Sequence, residues 1–366
     1  MIKVASVRRQ FNKKLFKICR KNYVTYDKIS KKTSGVKLNK MLSLTVILPT
    51  YNAITYIEEM LDSLRLQTRR PDEVRIFDDC STDDTVKTIE KYIARYDLHN
   101  WLMYRNEKNK GWIKNFIDAA HSVNDSDVIL FADQDDIWHH SKLEIVEEIM
   151  TNHPEISVLA HGRKNFKDRE LDLSKVVNIP PIQFNDKKLM KYKLHGCSFR
   201  TYGYPGCVLA VRRNFAEKVF NYWFESCAYD LFYCAASAIL GGLWIYDDEL
   251  VYQRVHSSNT TARGGDSHNF AYQFSTLNDE KKLLDMLYRL TINEKSTMLE
   301  NISRAKEFSI VRQNWYMDKK FISAVKLAGY LDCYPHFRSY VQDVILVLAE
   351  KLKLGGLIEN AQKLFR

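Results

Sequence analysis

Between residues 44 and 160, short apolar runs alternate with segments of helical periodicity, an order that few architectures accept. The runs LTVIL (Leu44 to Leu48), VRIF (Val74 to Phe77), WLMY (Trp101 to Tyr104), VILF (Val128 to Phe131) and ISVLA (Ile156 to Ala160) are strand-length and apolar at consecutive positions. Strands covered on both faces have this composition. Between them, Ile57, Met60, Leu61 and Leu64, then Val86, Ile89 and Ile93, then Leu143, Val146 and Ile149 recur at three and four, and a further helix is expected around Phe116 to Ala120. Thr55 with Glu58 and Ser81 with Asp84 read as helix caps. The prediction is an α/β fold: a mostly parallel sheet with helices on both faces. Further on, GCVLAVRR reads as a strand, NFAEKVFNYWFES and YDLFYCAASAIL as helices, and LWIYDD with LVYQR as a closing pair of strands. The chain from about residue 266 reads as a C-terminal helical region.

In such a sheet the ligand crevice lies beyond the carboxyl ends of the strands. Three polar loops leave those ends: PTYN (Pro49 to Asn52), DDCSTDD (Asp78 to Asp84) and ADQDD (Ala132 to Asp136). The last places Asp133, Asp135 and Asp136 directly after a buried strand, where like charges repel and need a positive partner. Mg²⁺ or Mn²⁺ carrying a diphosphate is such a partner, because these ions take one or two carboxylates and fill the rest with water and phosphate oxygens. The alternative for Asp133 and Asp135 is a solvated acidic turn at a helix start.

Bulk composition removes other classes. Seven cysteines form no C-x-x-C pair and follow no secretory leader, which argues for a reducing compartment and against a zinc site. The apolar run VILVLA (Val344 to Ala349) falls far short of the ~20 residues that cross a bilayer. Of the net charge of +10, residues 1–40 hold thirteen Lys and Arg against the single acid Asp27, so the rest of the chain is slightly acidic and gives no footprint for nucleic acid.

The segments SLTVILPTYNAITYIEEMLDSLRLQT, RIFDDCSTDDT, NKGWIKNF and ILFADQDDIWHHSKL, in this order and spacing, resemble the family 2 glycosyltransferases, which have the GT-A fold. More loosely, GYPGCVLAVRR, AYDLFYCAASAILGG and LVYQRVHSSN look like the acceptor half of bacterial rhamnosyltransferase-like members. The resemblance implies that Pro49 and Tyr51 pack against the nucleotide base, that Asp79 hydrogen-bonds it, and that Asp133 lies near the ribose. It implies Asp135 as metal ligand and His256 as completing the metal and diphosphate site. Lys114 matches a basic residue that approaches the nucleotide, with an exposed helix lysine as the alternative, and Asp78 reads as structural. Cys80 stands where the family has a small residue such as Gly, and Tyr229 where it has Glu, Asp or His. Asp230, opening the helix YDLFYCAASAIL, is the expected general base, against a reading as an ordinary acid at a helix start.

The expected enzyme is an inverting, metal-dependent glycosyltransferase, with a nucleotide-diphosphate-sugar donor and a glycan or lipid-linked glycan acceptor of the bacterial surface. Rhamnosyl transfer is one candidate. Three parts are expected: a basic leader at 1–42, the catalytic domain at 43–265 and the helical region at 266–366. In the leader, Val4, Val7, Phe11, Leu15 and Ile18 form an apolar stripe among Lys and Arg, which suits an anionic membrane surface or, alternatively, a solvated basic tail. This predicts a cytoplasmic protein, peripheral on the inner face of the membrane. SSNTTARGG after His256 suits a closing lid, and residues 195–208 are expected to set specificity. Two rivals are a sugar-phosphate nucleotidyltransferase, disfavoured because PTYNAIT has no Gly-rich loop, and a catalytically silent binding protein on the same fold.

Overall fold

The computed structural model describes residues 41–167, 180–194, 204–256, 270–334 and 336–353. Leu42–Glu170 with Pro181–Arg366 form one compact unit; the other, Met1–Met41 with Leu171–Pro180, lies almost wholly outside the described residues. The expected leader stripe, the expected lid, most of the 195–208 segment and the helical piece after Gly356 also lie outside them.

Consecutive apolar residues produce the expected strands because both sheet faces are covered. β1 (Leu44–Thr50) is buried at every position, and so is β4 (Val128–Phe131). With β2 (Glu73–Asp78) and β3 (Trp101–Arg105) they form a parallel array in the order β3-β2-β1-β4. The helices α1 (Ile57–Arg65), α2 (Thr85–Tyr96) and α3 (Trp112–His121) connect them, and their apolar stripes supply the buried Met60, Leu61, Leu64, Ile89 and Ile117. Beyond β4 the sheet changes character. β8 (Leu209–Arg212) runs antiparallel to both β4 and β6 (Val158–Lys167), and β9 (Leu243–Val255) follows parallel to β6. The short β5 (Ile137–Trp138) and β7 (Leu189–Lys191) pair antiparallel with β9.

Three local expectations are corrected. LWIYDD and LVYQR are one thirteen-residue strand, β9, because register shifts opposite Gly162 absorb the irregularity that reads in sequence as a turn. Thr55 does not cap α1, which begins after Tyr56 with no side-chain cap. Ser81 does not cap α2, because its hydroxyl is engaged by Asp78 and Asn52; Asp83 accepts from Thr85 N–H at 3.0 Å instead.

After α4 (Lys142–Asn152), α5 (Arg213–Phe220) and α6 (Tyr229–Ile239), the chain is helical as expected: α7 (Phe270–Asn293), α8 (Leu299–Asp318), α9 (Phe321–Leu327) and α10 (Phe337–Lys351). A buried ionic network knits this region. Arg312 of α8 donates to Asp343 of α10 at 2.5 and 3.0 Å and to Glu280 of α7 at 2.9 Å, and Tyr316 and Tyr334 also donate to Asp343. Among the described residues no helix is long and apolar enough to cross a membrane.

Candidate active site

The parallel strands end together, so their loops interlace at one sheet edge. Asp79 N–H donates to Thr50 O (2.8 Å), Asn52 N–H to Ser81 Oγ (2.9 Å) and Ala53 N–H to Thr85 Oγ1 (2.7 Å). Asp78 is wholly buried and accepts from Ser81 and Thr50, the structural part expected of it. Asp79 is also buried, and its carboxylate accepts from Asn106 Nδ2 (2.9 Å), Lys110 N–H (2.8 Å) and Gly111 N–H (2.9 Å). A carboxylate has about four acceptor sites, so Asp79 principally fixes the 106–111 loop and keeps little capacity for a nucleotide base. Cys80 has φ +65°, a left-handed conformation that a glycine adopts without strain, which gives a physical reason for the small residue that the resemblance leads one to expect there. Pro49 lies in β1, and the Tyr51 ring beyond it is 45% exposed, open to a planar ligand.

The acidic loop after β4 is clamped to this edge by Gln134. Its amide accepts from Tyr51 N–H (2.7 Å) and donates to Tyr51 O (3.1 Å). Burial, then Asp135, then Asp230 raise the pKa of Asp133 to about 7. Burial, then Asp133 and Asp135, hold Asp136 well above the ordinary carboxylate range. Asp136 Oδ1 accepts from Arg254 N–H at 3.0 Å, while Asp136 Oδ2 is buried with no hydrogen-bond partner among the described residues. Atoms of Asp133, Asp136 and Cys207 lie within 4.8 Å of one another.

The positive partner required by this cluster is in part a protein residue. Lys142, at the start of α4, is fully buried; its ammonium donates to Cys207 O at 2.8 Å and lies 3.3 Å from the Trp138 ring centroid. Burial lowers its pKa to about 7, against the opposing pull of Cys207, Asp136 and Asp133. Arg254 of β9 is the second cation. It donates to Asp135 O (2.9 Å) and Glu59 (2.5 Å) and lies over the Tyr56 and Phe166 rings.

Asp135 and His256 meet: His256 Nε2 is 2.7 Å from Asp135 Oδ2, and the imidazole packs on Tyr56 at 5.2 Å between centroids. Asp230 lies in the first turn of α6 and accepts from Leu231 N–H at 2.7 Å. Burial raises its pKa, against backbone hydrogen bonds from Leu231, Asp230 and Gly206. Tyr229 is a core residue. It stacks on Phe116 (4.2 Å) and packs at a tilt on Phe131 (4.7 Å), and it covers Gly206 so closely that a Cβ there would overlap its ring.

The fold therefore gathers Asp133, Asp135, Asp230 and His256 from three separate regions of the chain, and brings Tyr51 against the same acidic loop. Lys114 stands apart from the acids. Its ammonium pairs with Asp118 at 2.9 Å on the part-exposed side of α3. Sequence reasoning assigned no role to Lys142, Gln134, Arg254 or Asp136. Asp136 was visible in the acidic run, but a buried lysine at helical spacing looks like any surface lysine.

The carboxylates fit a hard divalent cation. Oxygen ligands are what Mg²⁺ and Mn²⁺ select, and Asp136 Oδ2 is a buried acceptor lacking a donor among the described residues. Cys207 fits less well, because burial, then Asp136 and Asp133, push its thiol pKa well up and keep it neutral.

Residues 45–220 match the family model described as Glycosyl transferase family 2. The poly(ribitol-phosphate) beta-N-acetylglucosaminyltransferase TarS of Staphylococcus aureus is 33% identical over 115 residues, covering 31% of this chain and 20% of TarS. The dTDP-rhamnosyl transferase RfbG of Shigella flexneri is 33% identical over 129 residues, covering 33% of this chain and 45% of RfbG. The chain thus spans less than half the length of these curated relatives. A crystal structure of S. aureus TarS 1-349 in complex with UDP-GlcNAc aligns with a TM-score of 0.51 at 20% identity, over 86% of this chain and 92% of that one. This likeness concerns the fold, which is of the expected GT-A type.

Proposed function

We propose that this chain, a member of the family 2 glycosyl transferases, moves one sugar from a nucleotide-diphosphate donor to a hydroxyl of a bacterial surface glycan, with inversion at the anomeric carbon. The observation that carries this reading is the 2.7 Å contact between His256 Nε2 and Asp135 Oδ2, which closes the acidic loop after β4 against the end of β9. The activities that give TarS and RfbG their names support the substrate class and leave N-acetylglucosaminyl and rhamnosyl transfer as the two reactions to compare.

The residues divide the work. The exposed Tyr51 ring receives the base, and Asp79 holds the 106–111 loop beside it. Asp133, Asp135 and Asp136, with His256, would hold Mg²⁺ or Mn²⁺ and the donor diphosphate. The bound ion would supply charge neutralisation for the departing diphosphate. Asp230 accepts the proton of the acceptor hydroxyl; the acceptor's hydroxyl oxygen forms a bond to the anomeric carbon while the bond from that carbon to the phosphate oxygen breaks. Burial makes Asp230 a stronger base than an exposed aspartate, which suits this task.

Attachment of the basic leader to the anionic inner face of the cell membrane is part of the proposal, because a lipid-linked acceptor would be met there. The test is release of nucleoside diphosphate from dTDP-rhamnose and from UDP-N-acetylglucosamine with Mn²⁺, with the product anomer read by NMR. Retention of configuration overturns inversion. No release from any nucleotide sugar in a broad panel favours the silent binding protein.

A further inference from the structure

Helix α9 is turned inside out for a water-soluble surface. Its seven residues bury Ser323, Ala324 and Leu327, while Phe321, Ile322 and Val325 are 72%, 57% and 50% exposed. These three occupy one face by helical spacing. Phe337, 65% exposed, extends the face at the start of α10, where Tyr340 Oη donates to Ala324 O at 3.4 Å. Scattered exposed apolar residues need no explanation, but a contiguous group on one helix does.

The charges around this face are mainly basic. Lys319, Lys320 and Lys326 flank α9, Arg338 follows Phe337, and Lys351 donates to Lys319 O at 2.9 Å. Of the acids beside it, Asp318 is committed to the start of α9, accepting from Lys320 N–H (2.8 Å) and Ser323 Oγ (3.0 Å), Glu350 lies 3.7 Å from Lys319, and Asp332, in the turn after α9, pairs with Arg304 at 2.6 Å. Large apolar side chains ringed by lysines match the boundary between anionic headgroups and acyl chains. A second copy fits less well: a stable interface takes about 800 Å² from each partner. Four side chains on a two-turn helix and its neighbour offer at most a few hundred Å².

We propose that α9 and the start of α10 form a second lipid-contact surface, built into the folded unit and distinct from the leader, which inserts Phe321, Ile322, Val325 and Phe337 into an anionic bilayer. The full chain carrying Phe321→Trp tests this with a readout local to the surface. With vesicles of phosphatidylcholine and phosphatidylglycerol, its additional emission is expected to shift to the blue and be quenched by brominated acyl chains. With phosphatidylcholine alone the effect should be much weaker. Attachment through the leader alone leaves that emission unmoved and overturns the proposal while sparing the leader reading. In a second arm, Phe321→Ser with Ile322→Ser should lower the vesicle affinity of the full chain about tenfold, as expected for lost apolar insertion, at unchanged nucleoside diphosphate release. Unchanged affinity overturns it. So does a sedimentation-velocity result in which the wild type dimerises and the double variant does not, because a second copy then covers the face.

Discussion

His256 Nε2 and Asp135 Oδ2 lie 2.7 Å apart, although 121 residues separate them in the chain. The contact closes the acidic loop after β4 against the end of β9, and Arg254 two residues earlier binds the backbone of the same loop. Both side chains are mostly buried at the sheet edge, so each is positioned by the other before any ligand arrives.

Asp135→Asn removes one negative charge and the acceptor for His256. Transfer is expected to fall by roughly 10²-fold or more, as when a group that offsets transition-state charge is lost. Donor binding measured by calorimetry should lose its dependence on Mn²⁺ at an unchanged melting temperature. Metal-independent transfer by the wild type would remove the basis for this assignment.

Asp230→Asn should cut transfer by roughly 10²-fold or more and leave donor affinity intact, because the proposed base acts only on the acceptor proton. The pH profile provides a separate check. Asp230 works deprotonated and burial raises its pKa, so the wild-type rate should fall on acidification while still above the ordinary aspartate range. The variant's residual rate should lose the Asp230 contribution to that limb, while Asp133 of the same site still titrates. Parallel loss of donor affinity would make Asp230 a donor-site or structural residue.

Lys142→Met removes a fully buried lysine whose charge opposes those of Asp136 and Asp133. Their mutual repulsion is then less compensated, so the melting temperature in chelator should drop. Mn²⁺ should recover more stability in the variant than in the wild type, because ion binding then supplies the missing charge. Equal Mn²⁺ effects in the two proteins would separate Lys142 from the acidic loop.

Gly206→Ala puts a methyl group into the Tyr229 ring. Overpacking of this kind costs about 1–3 kcal/mol, and Asp230 is the next residue along the displaced helix. The turnover number is expected to fall while donor affinity, read by calorimetry, stays the same. Unaltered turnover would mean that α6 absorbs the strain elsewhere.

A chain shortened to begin at residue 41 should stay folded and release nucleoside diphosphate, yet lose most of its binding to anionic liposomes and transfer poorly to a lipid-linked acceptor. Each basic residue near an anionic surface contributes about 1 kcal/mol, and the removed segment holds thirteen. Raising salt should mimic part of this loss in the full chain through screening. Undiminished binding of the shortened chain would assign attachment to the C-terminal helices.

By itself the sequence determined the parallel half of the sheet, since LTVIL, VRIF, WLMY and VILF can be satisfied only as strands covered on both faces, and β1 to β4 form at those positions. It also marked the DQDD loop, because charge placed directly after a buried strand is too costly to be incidental. Only the tertiary structure decided what neutralises that charge. Arg254 reaches the loop through the register of β9, and the packing of α4 buries Lys142 against the Cys207 carbonyl; neither distance is encoded in local spacing. The same holds for the part Asp79 plays in the fold, where its carboxylate anchors the 106–111 loop by three hydrogen bonds. Likewise Phe321, Ile322 and Val325 look like core residues in sequence. Their exposure arises because Ser323, Ala324 and Leu327 take the buried face of α9, a choice made by the helices packed against it.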